Sequence, residues 1–399
     1  MNLLDDYAVQ LEQLKQQNNF RQFYPIQHDG DFIHLNQRKM LNLASNDYLG
    51  IASDGELKQQ FFDDYLPQNQ AFDLPLTSSS SRLLTGNFAV YRQLEQRLSD
   101  YFGRSALLFN SGYHMNLGIL PAVANEKTLI LADKLIHASL IDGILLSKAK
   151  YIRYPHQNLA KLQQLIEQYH DDYQRIIIVT ESIFSMDGDE TDLNALVALK
   201  RQFSKIMLYV DDAHAIGVRG ERGLGCAEQY GVLHEIDFLA GTFGKAMASQ
   251  GGYVICHEIL RQYLINFMRP LIFSTALPPL NIAWTDFVLQ RVVHDTALRQ
   301  KREYLQGISQ DLIQTLHDWQ WTCPSSSHIV PIILGENSSA LEKAQQLQSL
   351  GYYVMAVRHP TVAKNQARLR ICLNANVNAE RFAQFKHTLA DCLQGVHHA

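Results

Sequence analysis

The sequence predicts an α/β protein: a large domain on a mostly parallel sheet, with an N-terminal arm and a smaller α+β domain at the C-terminal end. Two observations carry this. From about Ala106 to Val254, short apolar runs alternate with helical stretches, the pattern of a parallel sheet covered on both faces. After Pro278-Pro279 the pattern changes to long helices, followed by short separated strands. The expected division is residues 1–50 as arm, 51–285 as the large domain and 286–399 as the C-terminal domain.

The elements follow in order. Leu3, Leu4, Tyr7, Leu11 and Leu14 recur at helical spacing, and the pattern stops near Asn18-Asn19. An amphipathic helix outside the main pattern suits an arm that packs on something else. The runs ALLF, TLILA, RIIIVT, IMLYV, FLAG and GYVIC are short and largely apolar, as buried strands are. Long helices are expected from Leu280 to Trp319, and short strands around His328 to Leu334, Tyr352 to Val357 and Arg368 to Leu373. The sequence contains no internal repeat and no low-complexity tract.

Composition narrows the function classes. The chain has 399 residues, 46% hydrophobic and 19% charged, with a net charge of -5. That balance gives no basic footprint for nucleic acid, so acidic small substrates must be held by locally placed Arg, Lys and backbone amides. No apolar stretch reaches the roughly 18 residues of a membrane span. The opening Met1-Asn2-Leu3-Leu4-Asp5-Asp6 has acids where a signal peptide is basic. Five scattered cysteines without a CxxC pair suit a reduced, cytoplasmic compartment and require neither disulfides nor zinc.

Lys245 stands in Gly241-Thr242-Phe243-Gly244-Lys245-Ala246, between an apolar run and the pair Gly251-Gly252. Small residues around a lysine leave room for a flat ring, which makes Lys245 a candidate Schiff-base lysine. A phosphate-binding P-loop is excluded, because only two residues separate the glycines and Ala246 stands where a Ser or Thr would hold magnesium. Upstream, Met207 to Val210 reads as a buried strand that delivers Asp211, Asp212 and His214 to its carboxyl end, where open α/β sheets bind ligands. A carboxylate there can hold a pyridine nitrogen protonated, the device that turns a pyridoxal ring into an electron sink. Asp211 is the better placed acid, and a ring donor at His214 could reach the phenolic oxygen of such a ring. Asp212 can instead be solvated in a loop. A metal site is the competing reading of two acids and a histidine, but no second His or Cys cluster at ligand spacing accompanies it. Phe109-Asn110-Ser111-Gly112-Tyr113-His114 follows a strand and precedes a helix, so its amides could face an anion.

These motifs carry a resemblance. DDAHAIGVRGERGLG (Asp211 to Gly225) and GTFGKAMASQGGYV (Gly241 to Val254) resemble the signature of the α-oxoamine synthases, pyridoxal phosphate (PLP) enzymes of fold-type I, the aspartate aminotransferase-like fold. LNLASNDYLG, SRLLTGN, ALLFNSGYHMNLG, ADKLIHASLIDG, TESIFSMDGD, FSTALPP and HPTVAKNQARLR extend it over nearly the whole chain in one fixed order. The resemblance implies PLP bound by Lys245, with Gly112, Tyr113, Ser185 and Thr242 contacting it, His137 stacked on its ring, and Asp211 and His214 on its rim. It implies that Ser274 and Thr275 reach the cofactor of a neighbouring subunit, so that a homodimer shares its active sites. Asn46 and Arg370 match groups that hold an amino-acid carboxylate, and an Arg fork suits that bidentate task. Arg21 and Thr361 match positions associated with an acyl thioester, although Arg21 equally suits a solvated helix end. The branch most similar condenses L-alanine with pimeloyl-CoA or pimeloyl-acyl carrier protein, with loss of carbon dioxide, in biotin biosynthesis. Lys245, Asp211, His137 and His214 would be its catalytic groups, with no metal.

Three departures bear on that expectation. Thr77-Ser78-Ser79-Ser80-Ser81-Arg82 stands where many members carry a glycine-rich run. Ala215-Ile216 replaces a Gly-Thr pair and resembles other branches of the family. Val362-Ala363-Lys364-Asn365 replaces a Val-Pro-x-Gly turn, which frees φ at Ala363. Glycine C-acetyltransferase, 5-aminolevulinate synthase, serine palmitoyltransferase and autoinducer-synthase chemistries therefore stay open, as does a non-catalytic protein of the same fold.

Overall fold

The computed structural model describes residues 3–68 and 74–394, which group into two compact units. The larger comprises Asp54–Ser185 and Glu190–Glu303, and the smaller joins Met1–Ser53, Met186–Asp189 and Tyr304–Ala399. N- and C-terminal segments read separately from the sequence thus share one unit, and the boundary between units falls inside the helix Thr296–Asp318.

In the larger unit seven strands form one sheet in the spatial order Ser105–Phe109, Gly252–Cys256, Phe238–Thr242, Ile206–Asp211, Arg175–Glu181, Thr128–Asp133 and Lys150–Tyr154. Gly252–Cys256 runs antiparallel to both neighbours, and the other contacts from Phe238–Thr242 to Lys150–Tyr154 are parallel. All six apolar runs are strands. The seventh, Lys150–Tyr154, lies at an edge and exposes Lys150, Tyr151 and Arg153. Its mixed composition hides it from an apolar search and blunts the edge against pairing with another chain.

Ile176, Ile177, Ile178 and Val179 are all fully buried, as a central strand covered on both faces requires. On one face Ile177, Tyr209 and Phe238 pack with Ile119 and Leu120 of the helix Gly112–Val123, and with Leu140 and Ile144 of the helix Ala138–Leu146. Truncating Ile177 to alanine would cost about 2–5 kcal/mol. The two helices touch because Gly143 has no side chain: a Cβ there would stand 2.4 Å from the Asn116 carbonyl oxygen. That close approach brings the segment beginning at His137 against the helix that carries Asn116.

The smaller unit holds two sheets. Gln27–Asp29, Phe32–Leu35, Arg38–Asn42 and Tyr352–Tyr353 form one, and Ile329–Gly335, Ala367–Cys372 and Met355–Val357 form the other. The run Tyr352 to Val357 therefore serves both sheets and divides at Val354. Met186–Asp189 joins this unit through hydrogen bonds: Ser326 N–H donates to the Gly188 carbonyl at 3.2 Å, and Arg368 donates to the Met186 carbonyl and to the Asp187 carboxylate. The amphipathic helix forms as Asp5–Gln16 and buries none of its residues within the chain.

Candidate active site

Three adjacent parallel strands each end in an acid: Asp133, Glu181 and Asp211. The next strand, Phe238–Thr242, ends three residues before Lys245. Asp211 is 6% exposed and oriented from two sides. Asn116 Nδ2 donates to its Oδ2 at 2.7 Å, and the Ala213 N–H donates to its Oδ1 at 3.0 Å. The Tyr209 hydroxyl donates to Asn116 Oδ1 at 2.7 Å, which fixes the amide so that its NH2 group faces Asp211. The same NH2 group donates to Ser139 Oγ at 3.0 Å.

Ser139 passes this order on to His137. Its backbone N–H donates to His137 Nδ1 at 3.2 Å, and its hydroxyl lies 2.8 Å from the same nitrogen. Nδ1 is then an acceptor, and the neutral ring carries its proton on Nε2. Burial lowers the His137 pKa, helped by the Lys245 charge and opposed by the Asp211 and Asp142 carboxylates, so the neutral form is favoured. The Tyr113 ring meets His137 edge-on, with centroids 6.5 Å apart and planes at 84°. Its hydroxyl donates to Asp142, a bond that raises the phenol pKa.

Lys245 Nζ lies 2.9 Å from Nε2 of His214, which is 5% exposed. Lys245 is half-buried, on a turn held by Thr242. The Thr242 hydroxyl donates to the Gly251 carbonyl at 3.0 Å and accepts the Gly244 N–H at 3.2 Å. Gly112 opens a helix whose Ser111 cap accepts the His114 N–H at 3.1 Å. A Cβ on Gly252 would stand 2.8 Å from the Gly112 nitrogen, so glycine is needed where that strand meets the helix N-terminus. A helix N-terminus is a ready place for an anion. The donor set thus suits a flat aromatic aldehyde with a phosphate: an amine to bond the aldehyde, a carboxylate for a ring nitrogen, imidazoles, and amides at a helix start.

In the smaller unit, Arg370 points both Nη atoms at Asn46 Oδ1, each at 3.4 Å. The Tyr48 hydroxyl donates to the same oxygen at 2.9 Å. Arg21 donates to Thr361 Oγ1 at 3.1 Å. The helix ends at Gln16, so Arg21 belongs to the irregular segment beyond it.

A family model described as aminotransferase class I and II matches residues 38–389. The 8-amino-7-oxononanoate synthase of Haemophilus ducreyi is 52% identical over 379 residues, 93% of this chain and 96% of that one. The chain belongs to the aminotransferase class I and II family, in its 8-amino-7-oxononanoate synthase branch. That branch is PLP-dependent and of the acyltransferase type. The fold is fold-type I: a serine palmitoyltransferase of Sphingomonas wittichii superposes with a TM-score of 0.88 over 99% of both chains at 26% identity. The 8-amino-7-oxononanoate synthase of Francisella tularensis does so with a TM-score of 0.73, over 88% of this chain and 97% of that one, at 27% identity.

Within the larger unit the structure brings together Lys245, His214, Asp211, His137 and Tyr113, with Gly112 and Thr242 meeting at the helix start. Ser185 is half-buried in the segment after Glu181. Ser274 is half-buried and Thr275 exposed, beside Phe273, which is 72% exposed. Asp212 is not solvated: it is 1% exposed and accepts the Cys226 N–H at 3.3 Å. Burial pushes its carboxyl up to about 7, against the lowering effect of the nearby Ser182 hydroxyl and of the Cys226 N–H. Asp212 shapes the turn, since a Cβ on Gly225 would fall 1.7 Å from its Oδ2.

Sequence reasoning missed Asn116, Ser139, Tyr209 and Glu181. Asn116 left one signal, an amide inside the otherwise apolar helix GYHMNLGILPAV. The departures also find their accommodation. Ser79 adopts φ +48 where glycine is usual, and Ser78 Oγ donates to the Ala276 carbonyl at 2.6 Å. Asn365 takes φ +62, a left-handed conformation that Asn tolerates better than other side chains.

Proposed function

We propose that the chain condenses L-alanine with a pimeloyl thioester, on coenzyme A or acyl carrier protein, giving 8-amino-7-oxononanoate, carbon dioxide and free thiol for biotin biosynthesis. The Lys245 amine beside His214, with Asp211 held by Asn116 and Ala213, carries the chemistry of this reading. The 52% identity to the Haemophilus ducreyi synthase supports the choice of substrates.

PLP bound through Lys245 supplies an electron sink for the charge left at alanine Cα. Asp211 would keep a proton on the ring nitrogen, with His137 against the ring and His214 at the phenolic oxygen. Gly112, Tyr113, Ser185 and Thr242 would hold the phosphate and rim, completed by Ser274 and Thr275 of a second copy. The Lys245 amine, free once the amino group of alanine has replaced it, takes the proton from alanine Cα. A bond then forms from Cα to the pimeloyl carbonyl carbon, and the thiol leaves with a proton. The alanine carboxyl carbon departs as carbon dioxide, and a proton returns to Cα. Arg370 with Asn46 takes the carboxylate of the amino acid, where a charged hydrogen-bonded contact contributes about 1.5–3 kcal/mol. Arg21 with Thr361 takes the acyl thioester.

A homodimer fits the exposed apolar residues Leu83, Leu84, Phe267 and Phe273 of the larger unit. A cytoplasmic enzyme fits five free buried cysteines. Among the described residues no helix is long and apolar enough to cross a membrane.

The test is thiol and carbon dioxide release by purified, PLP-loaded protein, with L-alanine, glycine or L-serine against pimeloyl-CoA, pimeloyl-acyl carrier protein or acetyl-CoA. Turnover with alanine and a pimeloyl donor is expected. Turnover with glycine and acetyl-CoA, and none with pimeloyl donors, overturns the substrates. Failure of added PLP to give a visible band that borohydride abolishes overturns the enzyme reading.

A further inference from the structure

Glu181 is the middle of the three acids that end adjacent strands, and the chemistry above leaves it without a task. It pairs in register with Asp211 on the next strand and is 3% exposed. Its neighbours are accounted for differently. Asp133 Oδ1 accepts the Leu135 N–H at 2.8 Å and meets His156 Nδ1 at 2.8 Å, while its Oδ2 accepts the Gln157 N–H at 2.8 Å. Asp211 has Asn116 and Ala213. The His137 backbone N–H stands near enough to favour the ionised form of Glu181, and Glu181 Oε1 is buried with no hydrogen-bond partner.

A buried carboxylate with an orphan oxygen beside a second carboxylate is costly, and a neutral acid in the same place costs much less. The groups facing Glu181 agree. Burial raises its pKa most and the Asp211 charge next; Asp133 adds a smaller push in the same direction, while Lys245 and the His137 amide oppose them.

We propose that Glu181 works as a neutral carboxylic acid, a positioning residue that holds the His137 backbone and leaves Asp211 as the anion presented to the cofactor ring. The part concerning the ring rests on the function proposed above; the protonation state does not. One carboxyl oxygen fixes the start of the segment that carries the ring-stacking imidazole. The proton on the other removes a charge that would compete with Asp211 for cations, Lys245 among them.

Two variants separate charge from shape. Glu181→Gln keeps a neutral group and a carbonyl acceptor for the His137 amide; Glu181→Ala removes both. Infrared spectra of the PLP-free protein at neutral pH should show the C=O stretch of a protonated carboxylic acid that Glu181→Gln abolishes. With PLP, Glu181→Gln should keep cofactor affinity and the pH midpoint of the visible band within about twofold and a few tenths of a unit. Glu181→Ala should weaken PLP binding about tenfold and diminish the induced circular dichroism of the bound cofactor. Melting curves identify a variant that fails to fold, and the Gln variant alone then decides. Absence of the protonated-acid signal from the wild type overturns the proposal, as does a Gln variant that shifts the pH midpoint by a unit or more. If the wild type never develops the cofactor band, the functional reading fails, and the infrared result still judges the protonation state.

Discussion

Asn116→Leu tests whether the Tyr209–Asn116–Asp211 network directs Asp211 or only fills space. The side chains share their branching and number of heavy atoms, so the shape is roughly kept while three buried hydrogen bonds are lost: one accepted from Tyr209 at 2.7 Å and two donated, to Asp211 at 2.7 Å and to Ser139 at 3.0 Å. Tyr209 is fully buried, and its hydroxyl left without an acceptor costs about 1–3 kcal/mol. Removing the charge-assisted bond to Asp211 costs about 1.5–3 kcal/mol more. If that second amount falls on the reaction, kcat/KM drops about 10- to 150-fold. The assay is thiol release with alanine at saturating PLP, alongside thermal melting of the same preparation. A kcat/KM within twofold of wild type, with a lowered melting temperature, would refute the reasoning: Asn116 would stabilise the fold and not direct Asp211.

Lys245→Ala should abolish the borohydride-sensitive visible band and lower turnover by about a thousandfold or more, with melting unchanged; spectra and single-turnover assays check this. Arg370→Lys should raise the KM for alanine about tenfold and leave PLP affinity intact, because the fork is lost while the charge stays; steady-state kinetics read it. Asp212, raised from 3.8 to about 7, binds more protons folded than unfolded between those values. Its contribution to stability is therefore present at low pH and is lost as pH rises through that window. Asp212→Asn should flatten this slope, which denaturant melts at several pH values between about 4 and 8 would measure.

The residues to which the chemistry is proposed each sit on a local signal. Asp211 ends an apolar strand, and Lys245 stands among small residues in the turn after the next one. The supporting shell was not legible in that way. Asn116 is one amide in an apolar helix, Ser139 is an ordinary serine, and Glu181 ends a strand as many acids do. Lys150–Tyr154 escaped because an edge strand need not be apolar.

By itself the sequence determined the order of the six apolar strands along the chain, the strand ends and turn that carry Asp211, His214 and Lys245, and the resemblance to the family. Those follow from periodicity, turn residues and linear motifs, which act over a few positions. Only the tertiary structure decided that Glu181 pairs with Asp211, that Gly143 lets His137 and Ser139 lie against Asn116, and that Asp212 is buried. These depend on which strands become neighbours and how closely two helices approach, distances that no local pattern encodes.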